Sequence, residues 1–294
     1  MLRAEIAGVV VLACAGAATA TTVLSNNFAP GDSFTNAGGS NQGQAVGSSG
    51  WYYNNVRNGG VAGINTTYAR SGNGSAYLET KVGPGGASSK ADIEFLANGT
   101  GFAGNFFAGG SLGALANLNL NALSYEWYRD GTSTNSSVQH PAFRILLDAD
   151  GNLATTGDRG GLVYERAYNA LSTPTDSWVS DAITGSSKVW NFGLGAGLGF
   201  EHVIPGANGG NGTPYNPVTT WQAYLPNAAV LGFSMGVGSG WGPFKGAVDN
   251  VTFGFNGGST TYNFEAAVIP LPAAAWAGLA LLGVAGVSRR RNVA

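Results

Sequence analysis

The stretch Ala91-Asp92-Ile93-Glu94-Phe95 alternates small or apolar side chains with charged ones; Ser124-Tyr125-Glu126-Trp127-Tyr128 and Ala247-Val248-Asp249-Asn250-Val251-Thr252-Phe253-Gly254-Phe255 alternate less regularly. A period of two places successive side chains on opposite faces of a strand. Working outward, further short runs read as strands: Ala76 to Thr80, Ala142 to Leu147, Leu162 to Arg166, Lys188 to Phe192, Thr220 to Leu225, Val230 to Val237 and Thr260 to Phe264. Gly, Asn, Asp, Ser and Pro punctuate them. A helical pattern is weak and confined to Leu112–Leu123, and the glycine-rich stretches Gly38–Gly50 and Gly206–Gly212 read as loops. Many short strands with turn signals predict an all-β fold, a single jelly-roll β-sandwich with long loops over residues 21–267.

Composition excludes several functions. Only 10% of the 294 residues are charged and the formal net charge is −2, so no basic surface is available to neutralise phosphates. Nucleic acid is therefore not an expected partner. With a single cysteine, Cys14, and two histidines, His140 and His202, no Cys- or His-rich metal centre can form. The histidines read as exposed or locally bonded, and His140 is pushed toward an extended conformation by Pro141. The glycine runs, such as Gly193–Gly199, lack the Gly-Lys-Ser/Thr that a nucleotide loop requires.

Both ends read as addresses. Arg3, the apolar stretch Ile6–Ala17 and the small residues Ala18-Thr19-Ala20 form a signal-peptide pattern over residues 1–20. Val11-Leu12-Ala13-Cys14 offers a competing lipid-attachment reading at Cys14. At the other end, over residues 268–294, Ile269-Pro270-Leu271-Pro272-Ala273 precedes an apolar run to Val287 and the cluster Arg289-Arg290-Arg291. The run from Ala273 rises only ~22 Å as a helix, short of a ~30 Å hydrocarbon core. Counted from Leu271 with snorkelling arginines it makes a marginal transmembrane span, with the arginines cytoplasmic and everything upstream outside.

The tail resembles a PEP-CTERM sorting signal in its "VPLPA" form, with Leu271 where the name-giving motif has glutamate and Ile269 where the variant has valine. The resemblance implies export in a Gram-negative envelope, anchoring in the inner membrane, and processing by an exosortase-type enzyme acting at Pro270, Leu271, Pro272 and Ala273, with Arg289, Arg290 and Arg291 as the stop. Leu146-Leu147-Asp148-Ala149-Asp150-Gly151, Gly161-Leu162-Val163-Tyr164-Glu165, Gly238-Ser239-Gly240-Trp241 and Val248-Asp249-Asn250-Val251 resemble the uncharacterised ectodomains found upstream of such tails, which look like concanavalin- or galactose-binding-like sandwiches.

For chemistry, the sequence offers little. Glu126 and Asp130 share an even offset, but Asp130-Gly131 reads as a turn, so no catalytic carboxylate pair is expected and the protein is not expected to be an enzyme. Trp51-Tyr52-Tyr53 and Trp241 are the candidate carbohydrate contacts, because flat rings stack on pyranose faces, with core or loop packing as the preferred reading of the cluster. Three consecutive aromatics cannot all face one core, so at least one is expected outside it. Trp127, Trp178, Trp190 and Trp221 read as core. Asp148, Asp150 and Asn152, with Asp158 from a returning arm, form the densest oxygen cluster. An EF-hand is excluded, since Gly151 falls fourth and Arg159 occupies the twelfth place; a bare hairpin turn is the preferred reading and a structural calcium the alternative. The expected role is structural or adhesive at the cell surface or in an exopolysaccharide matrix, with a carbohydrate-binding module second and a glycan-active enzyme third. Apart from that calcium, no cofactor is expected.

Overall fold

A computed structural model describes residues 20–83, 87–97, 110–194 and 215–269. In chain order the strands are β1 (Thr21–Phe28), β2 (Phe34–Asn36), β3 (Gln42–Ala45), β4 (Trp51–Arg57), β5 (Gly60–Arg70), β6 (Gly74–Thr80), β7 (Lys90–Leu96), β8 (Gly113–Ala114) and β9 (Ser124–Arg129). The second half adds β10 (Ala142–Asp148), β11 (Arg159–Tyr164), β12 (Trp178–Ala182), β13 (Lys188–Phe192), β14 (Asn216–Pro217), β15 (Ala229–Gly238), β16 (Phe244–Phe253) and β17 (Thr260–Ala267), with one short helix, α1 (Val218–Tyr224), before β15.

They form two sheets. The first runs β1-β17-β16-β6-β5-β2, with β9 also on β16 and β12 on β9; the second runs β14-β13-β11-β10-β15-β7-β4-β3, with β8 on β15. All pairs are antiparallel except β1 with β17. The two sheets pack as a jelly-roll-like sandwich. Trp51 of β4 sits in the seam, fully buried, its ring 4.8 Å from Phe264, 5.3 Å from Tyr262 and 6.2 Å from Phe253 of the opposite sheet. Phe233 of β15 stacks on Phe253 at 4.2 Å. Apolar area removed from water at ~25 cal/mol per Å² is what holds such a seam closed.

Four expectations change. Thr220–Leu225 is not a strand: Val218, Trp221 and Leu225, spaced three and four apart, all face the core from α1 and its C-terminal end. Trp221, Ala223 and Leu225 also fit an alternation, which hid the helical spacing. The expected loop Gly38–Gly50 contains β3 as an edge strand on β4. The strand expected to reach Arg166 stops at Tyr164 and gives way to a 3-10 turn over Arg166–Asn169, while the weak helical pattern of Leu112–Leu123 condenses to a 3-10 turn at Leu115–Asn117.

Candidate functional site: a polar groove on the outer face of the second sheet

Alternation along the central strands of the second sheet sends Trp51, Tyr53, Ile93, Phe143, Ile145, Phe233 and Met235 into the seam and their neighbours outward. Register then aligns the outward residues in rows. One row is Tyr52, Glu94, Ser234, Arg144, Val163 and Trp190 across β4, β7, β15, β10, β11 and β13. The next is Asn54, Asp92, Gly236 and Ala142. Adjacent strands lie ~4.8 Å apart, so these side chains reach one another.

The polar ones form one connected network. Asp92 pairs with Lys90 (Nζ to Oδ2, 2.9 Å) and with Arg144 (Nη1 to Oδ1, 3.0 Å). Arg144 also donates to Ser234 Oγ at 3.3 Å. Asn55 Nδ2 donates to Asp92 Oδ2 (2.9 Å) and Glu94 Oε1 (3.0 Å), and Asn54 Nδ2 to Glu94 Oε2 (2.5 Å). A side chain at Gly236 is incompatible with this: a Cβ there would stand 1.7 Å from Asp92 Oδ1 and 2.5 Å from Arg144 Nη1, so the glycine is what lets the ion pair cross β15.

Burial of these groups sets their protonation. Both Asp92 and Glu94 are almost wholly shielded from solvent. Burial opposes the charge of Asp92, yet Lys90 and Arg144 hold its carboxyl below the ordinary value. Glu94 is pushed up to about 7 by burial and then by the charge of Asp92, against the opposing hydrogen bond from Asn54 and the charge of Lys90. Glu165, which accepts from Trp190 Nε1 at 3.0 Å, is also raised by burial.

Beside the network lies a cavity of about 290 Å³ lined by Lys90, Asp92, Glu94, Arg144, Glu165, Trp190, Phe192 and Trp241, among others. Its walls combine mutually paired charged groups with indole rings.

Of the aromatic residues expected to contact sugar, Trp241 lines this cavity and packs edge-on against Phe244 at 5.6 Å. Trp51 and Tyr53 do not qualify. Both are fully buried in the seam, Tyr53 hydroxyl bonding Asp32 and accepting from the Ile64 N–H. Tyr52, on the outer face, is buried against Leu96, Leu146 and Leu231. Trp190, expected in the core, is half-buried at the cavity instead, and Trp178 is half-buried at the sheet edge, while Trp127 and Trp221 are core. His140 is buried: its Nε2 accepts the Arg166 N–H at 2.9 Å and its ring stacks on Trp127 at 4.7 Å.

Asp148 and Arg159 face each other at the mouth of the β10–β11 hairpin, so Asp148-Ala149-Asp150-Gly151-Asn152 is a hairpin connection. That loop brings Asp148, Asp150 and Asp158 together. Asn152 is turned into its own loop, its Oδ1 accepting the Ala154 N–H at 3.2 Å. Pro270, Leu271, Pro272, Ala273 and Arg289–Arg291, Cys14, His202 and most of the expected signal peptide lie outside the described residues. Among the described residues no helix is long and apolar enough to cross a membrane.

Asp92, Glu94, Arg144 and Glu165 were not marked as site residues by sequence. The available signal was charge at alternate positions inside otherwise core-like strands, such as Arg144 within Ala142-Phe143-Arg144-Ile145-Leu146-Leu147. Comparison with protein-family models and with curated proteins finds no match to the chain.

Proposed function

We propose that this chain is an exported, surface- or matrix-associated β-sandwich protein with an adhesive role, and that it adheres by holding saccharide in the outer-face groove. The observation that carries this reading is the cavity where Trp190 and Trp241 stand beside the Lys90–Asp92–Arg144 network. Indole rings can cover the C–H faces of a pyranose, and the partly exposed Lys90 ammonium and Arg144 guanidinium, already fixed by Asp92, can take its hydroxyls with little reorganisation. Export rests on the leader and tail patterns in the sequence, which also supply the proposed membrane anchor and exosortase-type partner.

Affinity electrophoresis and glycan arrays against extracellular polysaccharides test it. Retention of at least one polysaccharide, weakened about tenfold or more by Trp190→Ala and by Trp241→Ala, is expected. Retention that survives both substitutions would sink the groove as the binding site. Release of reducing ends, abolished by Glu94→Gln, would make the protein a glycan-active enzyme instead.

A further inference from the structure

We propose that the β10–β11 hairpin is a calcium site whose protein ligands are Asp148, Asp150 and Asp158. One oxygen from each of the three lies within 4.8 Å of those of the other two. Calcium–oxygen distances of ~2.3–2.6 Å place opposite ligands ~5 Å apart, so a single ion can touch all three.

A second observation points to a missing cation. Asp148 is 0% exposed and Asp158 2% exposed. In each, one oxygen is oriented by the protein: Asp148 Oδ2 by Arg159 Nε at 3.1 Å, Asp158 Oδ2 by the Asp150 N–H at 2.9 Å. The other oxygen, Oδ1 in both, is buried with no hydrogen-bond donor. Buried carboxylate oxygens that have given up water and found no donor are unfavourable unless a cation serves them. Arg159 balances only one of three acids.

The ligand chemistry selects the ion. All three donors are hard carboxylate oxygens, with neither histidine nor cysteine in the cluster, which disfavours zinc and copper. Calcium accepts irregular oxygen sets and fills its remaining positions with water, whereas magnesium demands near-octahedral geometry at ~2.0–2.1 Å. Asp150 is the exposed member, held through its Oδ1 by the Asn152 N–H at 2.7 Å and by the Thr155 hydroxyl at 3.0 Å. An ion there ties loop 149–158 to the strand ends it connects. The inference is independent of saccharide binding.

The test is calorimetric titration and thermal melting of the chelator-stripped full chain with CaCl2. Heat at a stoichiometry near one and a raised melting temperature are expected at micromolar to millimolar Ca²⁺. Asp150→Asn keeps the acceptor for the Asn152 N–H, so it should fold as the parent does and bind calcium at least about tenfold more weakly. Asp158→Asn should do the same. The site is refuted by absence of heat and melting shift at millimolar calcium, by binding that both variants leave intact, or by equally tight magnesium binding.

Discussion

Glu94 and His140 are buried titratable groups that pull stability in opposite directions with pH. Glu94 titrates near 7 in the fold because burial and Asp92 disfavour its charge, whereas an unfolded glutamate ionises near ~4.3. Between those values the folded chain binds the extra proton, so stability falls as pH rises through the window. Asp249 acts likewise: burial raises it to about 8 although its Oδ1 accepts the Phe264 N–H at 2.8 Å. His140 is the reverse case. Burial drops it to about 3, against ~6.5 unfolded, so its contribution is complete above the unfolded value and lost as pH falls toward 3. From about pH 5 to about pH 6.5 two carboxyls outweigh one histidine, and above that the carboxyls act alone up to about pH 8. Melting temperature should therefore decline from about pH 5 to about pH 8, with each carboxyl contributing a slope of at most ~1.4 kcal/mol per pH unit. Glu94→Gln, which keeps an acceptor for Asn54, should flatten the decline below about pH 7 while leaving the Asp249 part. A profile that rises over this range, or one unchanged by the substitution, would contradict the assignment.

At the scale of the element, the departures from strict alternation are where the groove is made. β4 shifts register against β7 between Asn54 and Arg57, and Asn55 takes a left-handed conformation (φ 52°). This bulge lets two consecutive residues, Asn54 and Asn55, bond the carboxylates of Asp92 and Glu94, where a regular strand would send them to opposite faces. Asn55→Gly keeps the backbone and loses two hydrogen bonds to carboxylates, a cost of about 2 kcal/mol in denaturant unfolding. Asn55→Ala loses the same bonds and adds left-handed strain, about 1 kcal/mol more. Alanine ordinarily exceeds glycine in stability, so equal or inverted costs would show that the bulge is not strained as described. β16 carries a similar irregularity: its register against β9 shifts between Asp249 and Thr252, Asn250 has φ 46°, and Val248 and Val251 are both buried although an odd offset separates them. The sequence displayed this as imperfect alternation in Ala247–Phe255, so the strand was legible and the bulge was not. Periodicity reports which face a residue takes within one strand. It carries nothing about which outward residues share a row, so Glu94, Ser234, Arg144 and Trp190, drawn from four distant segments, became a site only through register. The aromatic triplet packs as two seam residues and one outside it, and a second apolar cluster on the outer face gives Tyr52 a buried place that periodicity alone does not show.

Across the whole molecule, the architecture was legible because many short runs bounded by turn residues alternate toward one seam, as in β7 and β9, and the helix α1 was missed because its seven residues are too few for a 3.6 period to outvote a period of two. The seam also determines what the chain ends can do. β1 and β17 lie side by side in parallel, Thr21 beside Tyr262 and Phe28 beside Ala267, and the Ala29 N–H bonds Ala267 O at 2.8 Å. The last strand thus closes at Ala267, and Val268 and Ile269 beyond it are exposed, at 66% and 69%. Cleavage just after them would leave every described strand of both sheets intact. Under the proposed sorting reading, Pro270 and Pro272 would disfavour helix ahead of the apolar run, where a processing enzyme would act, and Arg289 to Arg291 would resist translocation. On the proposed reading, protein recovered from its native host should have an intact mass that lacks the tail, and a chain ending at Ile269 should melt within about 1 °C of the full chain, since all pairing among the described strands is kept. A chain ending at Phe264 should melt several degrees lower, because it forfeits the β1 contacts of Glu265 to Ala267. A native species that still carries Arg291 would reduce the tail to a plain anchor, and a large destabilisation on stopping at Ile269 would make it part of the fold.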